Sequence, residues 1–477
     1  MISTYGLVVV LTVFGGIIIQ CDGAGDKTSS HPKPLPREIM ESIVRETDYR
    51  TIKQAVRWGI VPPTDFVMGK ILQNHIILIK PREFDGQIHE GDKDGDMFLR
   101  FGKYKELIEF FERFGDQVKK IEIWYNSTRN EVPHTEINQK IIKKYATNLE
   151  ELRINTRGDE GFWKDISDEK NDIIFPEVKK FHFQSHSSQD EFKLNSIFPK
   201  LESLTLSGDI KDKNCLVNVK GLKELTFTSQ LIYPDHLEHF FENNNNMTMM
   251  SLTSLYGFDT MRLIAKHLTI LTTLKLRSPE ERFLLRQNDN PVFELLSVNH
   301  FHIGFCRFDE ISGFRNYSFK MPNLKKLTLE GTRAEDRYIN FINHFEDLES
   351  VELLVSENID KLYNSIEKLK HIKEFTIPFI EYPPFFELPL TEIFGNIDDE
   401  SELQTLKIVK CNESSYKKYE SEMKKINIDL RKNGKATWTL SHEEPFGVGQ
   451  KYLMFERAGT LKRKGIAPET DPIMIKN

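Results

Sequence analysis

Few residues of this chain combine the types and the spacing that chemistry needs. Asp92, Asp94 and Asp96, in DKDGD, alternate as the first ligands of a calcium loop do. Such a loop turns on a glycine at its sixth position and closes on a carboxylate at its twelfth, where this chain has Met97 and Lys103. A solvated turn is expected there, and no metal is assigned. His182 and His302 fall in equivalent columns of a repeated pattern, too many strands apart to share a ligand, and are expected as exposed surface histidines. Cys21, Cys215, Cys306 and Cys411 form no CxxC pair. The sequence holds no glycine-rich phosphate loop, no HExxH helix and no serine or cysteine in a nucleophile elbow. With no matched acid, base or nucleophile, the expectation is a non-enzymatic protein without a cofactor, whose function resides in a surface.

That surface must be built by the repeat itself. From residue 118 onward the pattern apolar-x-x-apolar-x-apolar returns as VKKIEI, LEELRI, VKKFHF, LESLTL, LKELTF and MTMMSL, then as LTTLKL, VNHFHI, LKKLTL, LESVEL, IKEFTI and LQTLKI. The twelve units begin at 118, 149, 178, 201, 222, 247, 271, 298, 324, 348, 372 and 403, a mean step of about 26 residues. This is leucine-rich-repeat spacing. Between the units, DTMRLIAKHL (259–268), RAEDRYINFINHF (333–345) and NIDKLYNSIEKLKHI (358–372) show apolar residues at helical intervals. The expected fold is an α/β leucine-rich-repeat solenoid, with short parallel strands on a concave face and helices on a convex one.

Alternation along each strand then selects the side chains of the concave face. The fifth position of successive units gives Glu122, Arg153, His182, Thr205, Thr226, Ser251, Lys275, His302, Thr328, Glu352, Thr376 and Lys407. Trp124, at the amino-terminal end of the same surface, is an amphipathic anchor of the kind enriched at interfaces. Trp124, Arg153, His182, Thr205, Thr226, Ser251, Lys275 and His302 are therefore the candidate partner-binding residues. The hydroxyl-rich centre suits hydrogen bonding to a protein or a carbohydrate. The segment 374–390, EFTIPFIEYPPFFELPL, is expected to pack as an insertion. Cys306 and Cys411 take the ninth position of their units and are expected as buried structural thiols.

Composition bounds the partners. Hydrophobic residues are 39% and charged residues 29%, with a net charge of −7, a balance suited to a folded chain and not to a nucleic-acid groove. Residues 1–24 read as a signal peptide, because LVVVLTVFGGIII (7–19) is too short to span a bilayer and small residues follow it. Secretion, no membrane contact after cleavage, and a monomer are expected. Sequons at Asn126, Asn246, Asn316 and Asn412 fit a glycosylating lumen, with Asn246 the best candidate. A polar linker (25–34), a helical cap (35–75) and a transition (76–117) with an acidic loop at 85–96 precede the array. The array is expected over 118–440 and a tail over 441–477.

The cap carries a second signal. Ile39 and Ile43 are four residues apart, as are Ile52 and Val56, so each half of 35–58 can present one apolar stripe. Leu35-Pro36-x-Glu38-Ile39, then Ile43, Ile52, Val56 and Trp58, resembles a shortened F-box. A signal peptide, an F-box-like segment and repeats, in this order, are similar to secreted F-box and leucine-rich-repeat effector proteins of insects. The resemblance implies delivery into a host cell and docking of a Skp1-type adaptor through Leu35, Pro36, Ile39, Ile43 and Val56. The alternative is an extracellular recognition protein in which 35–58 only caps the solenoid.

Overall fold

The computed structural model describes residues 65–72, 75–79, 90–93, 96–100, 104–126, 141, 143–145, 147–157, 174–188, 194–210, 216, 218–228, 234–253, 257–277, 292–304, 318–333, 341–357, 371–378, 390–397, 401–411, 413–443 and 451–458. The leader, the docking residues Leu35, Pro36, Ile39, Ile43 and Val56, the sequons at Asn316 and Asn412, and Cys21, Cys215 and Cys306 lie outside them. The chain divides into two compact units, one holding most of the residues before Arg153 and the other most of those from Ile154 onward.

In the first unit, β1 (His75–Ile79) is buried along its whole length. A run such as HIILI, apolar on both sides, is what a strand enclosed on both faces requires. It pairs in parallel with β3 (Asp96–Arg100) and β4 (Lys120–Asn126). The Tyr104–Phe114 helix closes one side by burying Leu107, Phe111 and Phe114, which recur at four and three residues. Parallel strands thus begin at His75, inside the expected transition and well ahead of residue 118. HIILI escapes the repeat pattern because a strand covered on both faces has no outward polar positions. Asp92 falls in β2 (Glu90–Lys93) and Asp96 in β3, so both sit on strands, and β5 (Glu151–Arg157) follows β4 in the chain.

The second unit is a mixed α/β parallel solenoid. Parallel pairings link β6 (Lys180–Ser188), β7 (Ser203–Ile210), β8 (Glu224–Phe227), β9 (Met249–Leu252), β10 (Thr273–Arg277), β12 (His300–Gly304), β14 (Lys326–Arg333), β15 (Ser350–Glu357), β16 (Glu374–Pro378) and β17 (Thr405–Cys411), in that order. In the units beginning at 178 to 372 the three apolar positions are buried together, as Leu324, Leu327 and Leu329 illustrate at 1%, 0% and 1% exposure. The strand entrances share one hydrogen-bond scheme. Asn299 and His300 both donate to the Thr272 carbonyl, and Lys325 and Lys326 both donate to that of Asn299. Ion pairs between successive turns, such as Lys200–Glu177 at 2.7 Å and Lys223–Glu202 at 3.0 Å, follow the same translation. Being exposed, they add little stability.

The described parts of the returns hold both helices and short strands. Helices Pro234–Asn243 and Gly257–His267 occupy two of them. Asn244, buried after the first helix, donates to the Val219 and Phe240 carbonyls at 2.8 and 2.7 Å and accepts from the Leu222 amide at 2.8 Å. Two other returns carry short strands, β11 (Val292–Glu294) and β13 (Ser318–Lys320), which pair in parallel and stack Phe319 against Phe293 and Phe301.

The carboxy-terminal boundary also differs from the expectation. After β17 the Glu413–Lys432 helix leads into β18 (Trp438–Glu443), and β19 (Lys451–Arg457) runs antiparallel to both β17 and β18. Asn427 of the helix clasps the Trp438 backbone from both sides, at 2.8 and 2.9 Å. Phe394 packs against Trp438 and Phe455. Residues 451–457, expected in a tail, are part of the sheet.

Candidate functional site

The pleat sends alternate residues of each ladder strand away from the core, and the parallel register lines them up in rows. The middle row of the second unit runs His182, Thr205, Thr226, Ser251, Lys275, His302, Thr328, Glu352, Thr376 and Lys407, each directly paired with the next. Six of the eight candidate binding residues therefore lie in one line. Thr205, Thr226 and His182 are half-buried, and Ser251 is nearly covered.

Trp124 and Arg153 belong to the first unit. Trp124 packs on Ile76 and Leu78 and its indole N–H donates to Glu122. Arg153 bonds Glu151 at 2.6 Å and stands 3.9 Å from the second oxygen of Glu122. Both side chains are engaged within their own unit. Asn246 is exposed in the turn after the Pro234–Asn243 helix.

The strongest departure from expectation is at β10, β12, β14 and β15. His302 is 6% exposed, not an exposed surface histidine. Its Nε2 lies 3.0 Å from Glu330 Oε2, and Arg277 Nε lies 3.3 Å from the same oxygen. Arg277, Gly304 and Glu330 are register partners on three successive strands. Gly304 leaves the gap across which the two long side chains meet: a Cβ there would fall 3.3 Å from Glu330 Oε2 and 3.4 Å from Arg277 Cγ. His302 is covered because its neighbours lean over it.

A second chain of bonds runs beside the first. His300 Nε2 stands 3.3 Å from Thr328 Oγ1, which is 3.2 Å from Glu352 Oε2, and Lys326 Nζ is 3.5 Å from that oxygen. An ionised carboxylate only accepts, so the Thr328 hydroxyl donates to Glu352 and the His300 Nε2–H donates to Thr328. Burial, then the charges of Lys326 and Lys275, hold the His300 pKa down to about 4. Burial outweighs Glu330 and lowers His302 as well. Both imidazoles are neutral at pH 7. The order histidine–hydroxyl–carboxylate is wrong for a nucleophile: the carboxylate polarises the hydroxyl, while the imidazole donates a proton to it and cannot accept one. The Thr328 hydroxyl is therefore held by its neighbours and not deprotonated by them.

Lys275, half-buried between Ser251 and His302, has no ion-pair partner among the described residues. Sequence reasoning placed Lys275, His302, Thr328 and Glu352 on this face but passed over His300, Lys326, Arg277 and Glu330. Their signal was present: they occupy the third and seventh positions of the same units, with opposite charges two strands apart across a glycine. No protein-family model matches this chain, and no curated protein matches it either.

Proposed function

We propose that this chain is a leucine-rich-repeat protein whose outward strand face binds another protein and catalyses no reaction. The observation that carries the reading is the single register aligning His182, Thr205, Thr226, Ser251, Lys275 and His302 as one continuous polar strip. Such strips supply many exchangeable contacts rather than one reactive centre. Repeat spacing of about 26 residues supports the leucine-rich-repeat assignment. In this reading residues 1–24 direct secretion, and the F-box-like cap docks a Skp1-type adaptor through Leu35, Pro36, Ile39, Ile43 and Val56 inside a host cell. The strip then selects the protein to be ubiquitinated. The test is capture of Skp1 by residues 25–477 beside a version lacking 35–58, both checked for folding by circular dichroism. Adaptor capture that requires 35–58 is expected. Absence of capture by the folded longer chain rejects the adaptor role.

The second reading is an extracellular recognition protein. It is favoured by the exposure of Asn246 in a turn. A glycan on Asn246 in protein isolated from its native source supports it, and sugar-free protein recovered from a host cytosol argues against it.

A further inference from the structure

We propose that Glu238, Glu242 and His267 bind one divalent metal ion of the zinc class, on the helical side of the solenoid and independently of the strip. Glu238 and Glu242 are one turn apart on the Pro234–Asn243 helix and so share a face. His267 is the last residue of the Gly257–His267 helix. One ligand atom from each residue lies within 4.8 Å of the others. One imidazole nitrogen with two carboxylates is a donor set that suits zinc and its neighbours rather than calcium or magnesium, which take oxygen ligands alone.

A separate observation points to a ligand at the same place. His267 Nε2 is buried without a hydrogen-bond partner, in a side chain only 12% exposed, and it faces Glu238 Oε1 at 3.5 Å. That separation exceeds the usual hydrogen-bond length of about 2.9–3.0 Å. It matches two ligands on one ion: bonds of about 2.0–2.1 Å at a tetrahedral angle place neighbouring ligand atoms about 3.3 Å apart. A buried imidazole nitrogen whose nearest acceptor stands this far away is poorly compensated, and a metal in this gap supplies the missing bond. Glu242, 54% exposed, reaches the third position by rotating its side chain, and water fills the fourth.

Two neighbours compete with the metal. Lys266 Nζ is 2.6 Å from Glu238 Oε1, with both side chains about half exposed, and His239 Nδ1 is 3.9 Å from Glu242 Oε2. Pairs this exposed contribute little and are displaced cheaply.

The experiment is calorimetric titration of the chelator-treated full chain with Zn²⁺, with Co²⁺ absorption as a report of tetrahedral coordination. One ion per chain is expected. His267→Ala and Glu242→Gln should each weaken binding by more than about tenfold, the scale on which even outer-shell substitutions act. Lys266→Ala should tighten it, and His344→Ala, at an exposed histidine outside the cluster, should leave it unchanged. Glu242 is exposed, so its variant decides the matter if His267→Ala misfolds. Zinc binding that is absent, or equally strong in wild type and Glu242→Gln, overturns the proposal.

Discussion

Strands β6 to β9 and strands β12, β14 and β15 share one register and bury the same three positions of each unit, yet the side chains above that core behave differently. In the earlier stretch His182, Thr205, Thr226 and Ser251 present mainly short hydroxyls. In the later one His300, His302, Thr328, Glu330 and Glu352 bond one another across strands and cover themselves. A repeating backbone fixes where side chains stand. How far they reach across neighbouring strands depends on their length and charge in adjacent turns.

The core beneath the two stretches should respond alike. Phe181 and Phe301 are both fully buried, so Phe181→Ala and Phe301→Ala should each cost about 3–5 kcal/mol in urea denaturation. Losses differing by more than about 2 kcal/mol would separate the two halves into independent cores.

Above the core the stretches should diverge. Glu330→Ala leaves the buried His302 nitrogen without its acceptor and should cost about 1–3 kcal/mol. Thr226→Ala should stay within about 0.5 kcal/mol of wild type. Equal effects would erase the distinction between network and strip.

Proton linkage gives the next contrast. His300 has a folded pKa of about 4, below the ordinary histidine value, so the unfolded chain binds the extra proton first. Stability is therefore fully present above pH about 6.5 and falls as the pH drops toward 4. The loss should be about 1–2 kcal/mol after allowance for partial exposure, and His300→Gln should remove it. A wild-type profile that coincides with the variant's would refute the assignment.

The smallest effect is expected at the glycine between the charged partners. Gly→Ala in an unstrained site gains about 0.4–1 kcal/mol through the unfolded state. At Gly304 crowding against Glu330 and Arg277 should cancel most of this, leaving a change below about 0.5 kcal/mol. In a Glu330→Ala background the gain should reappear, and a double-mutant cycle measures the difference.

The middle row was legible residue by residue, because a period of two decides which side chains face outward. What could not be read was the company each one keeps. His302 is buried by Glu330, which reaches past a missing side chain at Gly304, and no single-strand pattern encodes that. The strands at 75–79 and 451–457 escaped for a related reason. One is enclosed on both faces and the other runs antiparallel, so neither needs the repeat motif. In the returns, the VFE of β11 and the SFK of β13 pair with each other, a contact between turns that no single-strand pattern encodes.

A stack of like units has no inherent length, since the edge of its last strand is a template for another. Here β17 offers that edge to β19, which runs the opposite way. The reversal acts as a chain terminator: a parallel strand from another molecule finds the growing end already occupied, and polymerisation into a fibre through β17 is blocked.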